Sequence, residues 1–235
     1  MENLELPILG IIPARGGSKR VARKNEKLLA GKPLLAWSIE AAKNLEFVKV
    51  MVSTDDGTIA KIATEMGAEV PFLRSKKYAT DEANIVDAVI EVLEFYEREG
   101  VFFQAVLLLQ PTSPFRTKES IREAVSLYKK SQCESVVSVN RARTHPYWCK
   151  KIEHGVLVPF NQSYDGVKLR SQDLPEVYEL NGSIYLASVS TLKATKSFYS
   201  LNTQALVVSE DESLDIDTPY DWLQAVTRAK MVLEK

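Results

Sequence analysis

Apolar residues along this chain fall into two alternating rhythms. The runs at 8–12, 48–53, 68–73, 102–109 and 135–139 are continuous enough for short strands buried on both faces. Between them the spacing turns helical. Residues 33–43 put Leu34, Leu35, Ile39 and Ala42 on one face, with Pro33 as first residue. Residues 82–99 put Ile85, Val89, Val92, Leu93 and Tyr96 on one side, and 58–66 and 118–130 repeat the pattern more briefly. Start and stop signals frame these helices: Asp55 or Asp56 before the second, Thr80-Asp81 before the third, Thr117 before the fourth. The run at 102–109 is the most apolar and is expected at the centre of the sheet. Strand–helix alternation predicts an α/β fold with a mainly parallel central sheet and helices on both faces.

The rhythm breaks at Arg141. Residues 143–175 carry short β-like pieces, a His154-Gly155 turn and a polar stretch at 161–173, without helical periodicity. Residues 177–187 and 205–208 then read as returning strands, and 219–232 as a closing helix. The expected division is an α/β domain, 1–143 and 176–235, with a small β-rich insertion at 144–175. That insertion is large enough to cover a site or to pair with a second subunit.

Composition narrows the function. The 235 residues are 45% hydrophobic and carry a net charge of −1, so a nucleic-acid partner held by bulk charge is not expected. Two cysteines, Cys133 and Cys149, without a CxxC or nearby histidines suit a reducing cytoplasm and no zinc site. The first nine residues include Glu2 and Glu5 and do not read as a signal peptide. No run approaches the roughly 20 apolar residues of a membrane span. The expected location is cytoplasmic.

Against that neutral background one loop stands out. The strand at 8–12 runs directly into Arg15, Lys19, Arg20, Arg23, Lys24 and Lys27, with Gly16-Gly17-Ser18 between the first two cations. Paired glycines allow a tight turn that offers backbone N–H groups to an anion, the layout of a phosphate site at the carboxyl edge of a sheet. A solvated basic turn is the alternative. The loop matches neither GxxxxGK[ST] nor GxGxxG. Far along the chain, Asp215 and Asp217 flank Ile216. In extended backbone both carboxylates share a face and could hold a hard cation such as Mg2+; alternatively Asp217 caps the last helix. A phosphate cradle together with such a metal site implies a nucleoside triphosphate. Gln110, Thr112 and Ser113, stiffened by Pro111 and Pro114, offer neutral groups suited to a hydroxyl-rich substrate, or simply form a polar turn. His145 and His154 read as structural or surface residues, and Trp37, Trp148 and Trp222 as core. No nucleophile–base pair stands out, so no covalent intermediate is indicated.

With these residues assembled, the chain resembles the CMP-sialic acid synthetases, the N-acylneuraminate cytidylyltransferases, legionaminate-type members included. The markers are IIPARGGSK (11–19) with RKN (23–25), VSTDD (52–56), EVPFLR (69–74), LLQPTSPFR (108–116), QDLP (172–175), LNGSIY (180–185) and SLDIDT (213–218). The resemblance implies a Rossmann-like nucleotidyltransferase fold. It also implies a homodimer whose insertion reaches the partner's site, and an enzyme joining CTP to a nine-carbon 3-deoxy-ulosonic acid with release of pyrophosphate. By position, Arg15, Gly16, Ser18, Lys19 and Lys24 would hold the triphosphate, and Asn25, Arg74 and Asn84 would lie near cytidine. Gln110, Thr112, Ser113, Asn181 and Tyr185 would face the sugar, and Asp215 and Asp217 would hold Mg2+ or Mn2+. Arg15, Lys19, Lys24 and Asp217 would carry the chemistry.

Two departures concern the sugar. Many members have Arg-Arg-Gln where this chain has Arg170-Ser171-Gln172, which moves the carboxylate contact to Arg170, to Lys150 or Lys168, or to the other subunit. Glu179 places an acid beside the expected sugar pocket. Neuraminate and a legionaminate-type acid both stand as substrates. An eight-carbon octulosonate is disfavoured, because that sister family carries tyrosine and arginine where residues 16–19 stand here. A catalytically silent nucleotide-binding homologue is the non-enzymatic alternative.

Overall fold

A computed structural model describes residues 7–45, 48–160 and 170–233. In chain order the elements begin with β1 (Ile8–Pro13), β2 (Leu28–Leu29), β3 (Lys32–Pro33), α1 (Leu34–Ala42), β4 (Val48–Ser53), α2 (Gly57–Glu65) and α3 (Ile85–Arg98). They continue with β5 (Ala105–Leu108), α4 (Lys118–Ser131), β6 (Ser135–Arg141), β7 (Lys150–Glu153) and β8 (Val156–Pro159). The last are β9 (Tyr178–Ser188), α5 (Val189–Thr195), β10 (Thr203–Val207) and α6 (Pro219–Leu233).

Six strands form the central sheet in the order β10-β6-β9-β5-β1-β4. β1 pairs in parallel with β4 and β5, and β10 with β6, while β9 runs antiparallel between β5 and β6. The expected α/β class with a mainly parallel sheet holds. Both faces are covered, and the strand period of two sorts the side chains between them. Ile8 and Ile12 pack with Leu35, Ile39, Ile59 and Ile121 on the side of α1, α2 and α4. Leu9 and Ile11 pack with Val89, Leu93 and Leu192 on the side of α3 and α5. A third cluster, with Leu34, Trp37, Ile216 and Trp222, seats α6 against α1 and anchors the segment carrying the paired aspartates.

Several elements differ from those the sequence pattern predicts. Residues 68–73 form no strand: Glu69 makes one bridge to Met51, and Pro71 has no N–H to extend the ladder. α3 starts at Ile85, where Asn84 accepts the Val86 N–H at 3.0 Å, so Asp81 is not its cap. Asp56, and not Asp55, caps α2, accepting from Thr58 and Ile59. Trp148 is exposed and belongs to no core cluster. The β2–β3 hairpin and α5 are additions to the expected elements. The insertion does contain a hairpin, β7–β8, a two-stranded sheet of its own. It turns on His154 and Gly155, both at positive φ (51° and 81°), as a two-residue loop between right-twisted strands requires. Lys168 and the rest of 161–169 lie outside the described residues.

Candidate active site

The loop after β1 and the segment before α6 meet. Lys24 Nζ donates to the Ile216 carbonyl at 2.6 Å and lies 3.5 Å from Asp217 Oδ1, and Arg20 Nη1 is 3.2 Å from Asp217 Oδ2. These groups, with Arg15, Ser18, Lys19, Asn25, Arg74 and Thr112, line one cleft of about 270 Å3 beyond the carboxyl ends of β1 and β5. Ligands of open α/β sheets bind at such an edge. Lys24 is largely buried, and desolvation holds its ammonium below the usual lysine range in spite of Asp217 and Asp215 nearby. A buried cation whose nearest carboxylate sits at 3.5 Å has charge left for an anionic ligand.

The glycine turn works differently from the expected N–H cradle. Gly16 N–H is spent on Asp55 Oδ1 at 3.0 Å, and Ser18 N–H on the Gly16 carbonyl at 3.1 Å. Asn25 Nδ2 bonds the Arg15 carbonyl at 2.9 Å. Backbone groups thus brace the loop, and the groups it turns toward the cleft are side-chain cations. Gly16 is needed for proximity: a Cβ there would sit 2.7 Å from Asp56 Oδ2 and 2.9 Å from Asp56 Cβ. Gly16→Ala is therefore expected to displace the cap of α2 and the loop together, costing about 1 kcal/mol of stability. The accompanying rise in nucleotide KM should be roughly tenfold, read from thermal melts and steady-state kinetics.

Arg74 is buried and fixed, with Nε on Ser53 Oγ at 2.9 Å and Nη2 on the Ser53 carbonyl. Burial pulls its pKa down, with Asp55 and Glu91 opposing.

The residues expected around the sugar do not share one chamber. Gln110 borders both the main cleft and a neighbouring chamber of about 280 Å3, where it meets Tyr185, Asn84, Phe198 and Tyr199. Asn84, expected near the base, faces this second chamber, and its side-chain oxygen is occupied by the α3 cap. Asn181 lines a third chamber beside Asp215 and Arg143, with its Oδ1 accepting from Ser138 Oγ at 2.7 Å and Ser183 N at 3.1 Å. Ser113 is fully buried and donates to the Asn181 carbonyl at 3.4 Å, so it supports the site from behind. Arg170 is exposed and borders none of these three chambers. Burial and the Tyr199 hydroxyl raise the Tyr185 pKa, so its phenol stays protonated.

The paired aspartates differ in their surroundings. Burial raises the Asp215 carboxyl, opposed by a hydrogen bond with Thr112, while Asp217 adds like charge. The Asp217 side chain points to Arg20 and Lys24 and is not a helix cap; Thr218 fills that role, its Oγ1 accepting from Asp221 N–H at 3.3 Å, while Asp221 Oδ2 reaches back to accept from Asp217 N–H and Thr218 N–H. Among the described residues no group of three or more His, Cys, Asp or Glu gathers to cage a metal. Two hard oxygen donors of like charge, one buried at a cost, instead suit an ion that takes its other ligands from phosphate and water.

Three further residues shape the site: Asp55, Asp81 and Arg116. Local patterning offers Asp55 and Asp81 as caps and Arg116 as the end of a motif; each instead binds a group far along the chain, beyond the reach of that patterning.

The cytidylyltransferase family model matches residues 9–228. The chain is 44% identical over 230 residues to the CMP-N,N'-diacetyllegionaminic acid synthase of Legionella pneumophila, covering 97% of each. It is 38% identical to the N-acylneuraminate cytidylyltransferase of Escherichia coli over 94% of this chain, and spans about half (51%) of that protein. Pseudaminic acid cytidylyltransferase of Campylobacter jejuni is 31% identical over 91% of this chain and 92% of its own. In fold, a structure of CMP:2-keto-3-deoxy-manno-octonic acid synthetase complexed with CTP superposes with a TM-score of 0.71 at 17% identity, covering 97% of this chain and all of that one.

Proposed function

The chain belongs to the cytidylyltransferase family, and on that premise we propose that it transfers the cytidylyl group of CTP to a nine-carbon 3-deoxy-ulosonic acid, releasing pyrophosphate. The observation that carries this reading is the meeting of Arg20 and Lys24 with Asp217 at a single cleft: cations for a triphosphate and one carboxylate for a divalent ion face the same space, while Asp215 borders the adjoining third chamber. The sugar's anomeric hydroxyl attacks the α-phosphorus. The bond to the bridging oxygen of the β-phosphate breaks, and the hydroxyl proton is lost. Positioning and charge neutralisation carry such a transfer, so the protein needs no covalent step. Arg15, Lys19 and Lys24 hold the phosphates. Gln110, at the border of two chambers, orients the sugar toward them.

Cytidylyltransferases of this kind generally use a divalent metal. Here Asp215 and Asp217 would hold Mg2+, which supplies neutralisation of charge on the phosphate oxygens. For the sugar, a diacetylated legionaminate-type acid is preferred over neuraminate: the relative named for that acid matches over 97% of its length. The second chamber, walled by Ile85, Leu108, Phe198 and the two tyrosines, offers apolar surface for acetyl groups. The working unit is a homodimer joined through the insertion, on whose hairpin Ile152 and Leu157 stand exposed, as interface residues do.

Purified protein, CTP, Mg2+ and a panel of legionaminate, neuraminate, pseudaminate and octulosonate, with pyrophosphate as readout, test this. Legionaminate is expected to lead in kcat/KM by at least about tenfold. No pyrophosphate with any nonulosonate sinks the assignment, and release with octulosonate alone transfers the enzyme to the eight-carbon class.

A further inference from the structure

Across the cleft from the basic loop stands Asp81. Its Oδ1 lies 2.5 Å from Arg15 Nη2 and its Oδ2 lies 2.6 Å from Lys19 Nζ, so one carboxylate holds both cations, one on each oxygen. Neither Arg15 nor Lys19 has another acidic partner among the described residues. Asp81 itself lines the cleft and sits three residues ahead of the Asn84 cap, in a loop that the third helix does not absorb. A carboxylate offering two anionic oxygens to two cations has the geometry of a phosphate group offering the same.

We propose that Asp81 is a stand-in anion: it positions Arg15 and Lys19 in the nucleotide-free enzyme and is exchanged for phosphate oxygens when the triphosphate binds. The proposal rests on the cytidylyltransferase reading and adds a residue to it. Exposed ion pairs are weak, so the exchange costs little. Without Asp81 the two long side chains would sample many rotamers and the loop would carry unscreened positive charge. After exchange its charge lies beside a polyanion and weakens the grip on the β- and γ-phosphates, which favours pyrophosphate departure. Asp81 is thus a positioning residue that sets nucleotide affinity and product release.

Calorimetric titration of the full-length wild type and of Asp81→Asn with CTP, pyrophosphate and CMP tests the exchange. The variant is expected to bind CTP and pyrophosphate about three- to tenfold more tightly and CMP unchanged, since CMP lacks the phosphates concerned. Its log Kd should also climb more steeply with log salt. Asp81→Ser, a second neutral side chain, must behave alike, and a thermal melt checks that both fold. Unchanged or weaker CTP binding in folded variants, with normal wild-type binding, overturns this proposal alone. A wild type that binds no CTP overturns the cytidylyltransferase reading and this proposal with it.

Discussion

Lys24→Ala is expected to lower kcat/KM by at least about a hundredfold, roughly 2.7 kcal/mol of transition-state stabilisation. Lys24 is the one loop cation whose ammonium lies largely out of solvent, and its bond to the Ile216 carbonyl aims it between the loop and the aspartates. A preorganised charge in a desolvated position acts on developing phosphate charge far more strongly than an exposed lysine such as Lys19. Lys24→Arg should not rescue, because the larger planar guanidinium does not fit the same enclosed geometry. Steady-state kinetics on folded variants decide the matter: activity within about fivefold of wild type removes Lys24 from the machinery. Asp217→Ala is expected to fall comparably. Because burial holds the Lys24 ammonium below the usual lysine range, the alkaline limb of kcat/KM, which reports the free enzyme, starts earlier than an exposed lysine would set it.

The largest loss of stability is expected from Arg116→Met. The Arg116 side chain is buried and makes no ion pair among the described residues. Its donors go to the Ser183 carbonyl at 2.9 Å, Ser38 Oγ at 2.6 Å and the Gln110 carbonyl. Burial pushes its pKa down to about 9, with Asp215 and Glu212 opposing, so it remains charged at neutral pH. One guanidinium therefore ties β9, α1 and the turn after β5. Methionine fills similar space but leaves those three acceptors without their donor, a loss of about 3–5 kcal/mol. For a chain of this length that corresponds to a fall in Tm of roughly 10 °C. A shift under about 2 °C would show that the three contacts are replaced by water or by each other. Since Gln110 borders both the nucleotide cleft and the second chamber, loosening its carbonyl should raise the KM for the sugar more than that for CTP.

Much of the fold was legible because its signals are local. Continuous apolar runs mark strands covered on both faces, and β4 matches its expected 48–53 bounds while α4 differs from its own by one residue. Thr117 and Asp56 cap as their side chains predict, since an N-cap bond spans only two or three residues. The limits appear where two local readings compete. The pattern puts the third helix's cap at Thr80-Asp81, whereas the structure puts it at Asn84. Asn84 serves because its extended backbone places Oδ1 on the Val86 N–H, and Asp81 goes instead to two cations that the chain pattern cannot locate. Ser113, read as a contact, is enclosed when β9 crosses between β5 and β6. Residues 68–73 fail as a strand because Pro71 removes a donor beside the edge strand β4, leaving the single bridge from Glu69 to Met51.

By itself, then, the amino-acid order determined the α/β class, the burial of each face, and which residue types were available for phosphate and cation chemistry. Those properties follow from spacings of two to four residues and from side-chain chemistry alone. Only the tertiary structure decided that Lys24 meets Asp217 across 193 positions of chain, that the sugar-facing candidates divide among separate chambers, and that Asp81 holds the loop. The physical reason is that strand order and the packing of α6 bring these groups together, and both are set by burial summed over the whole core.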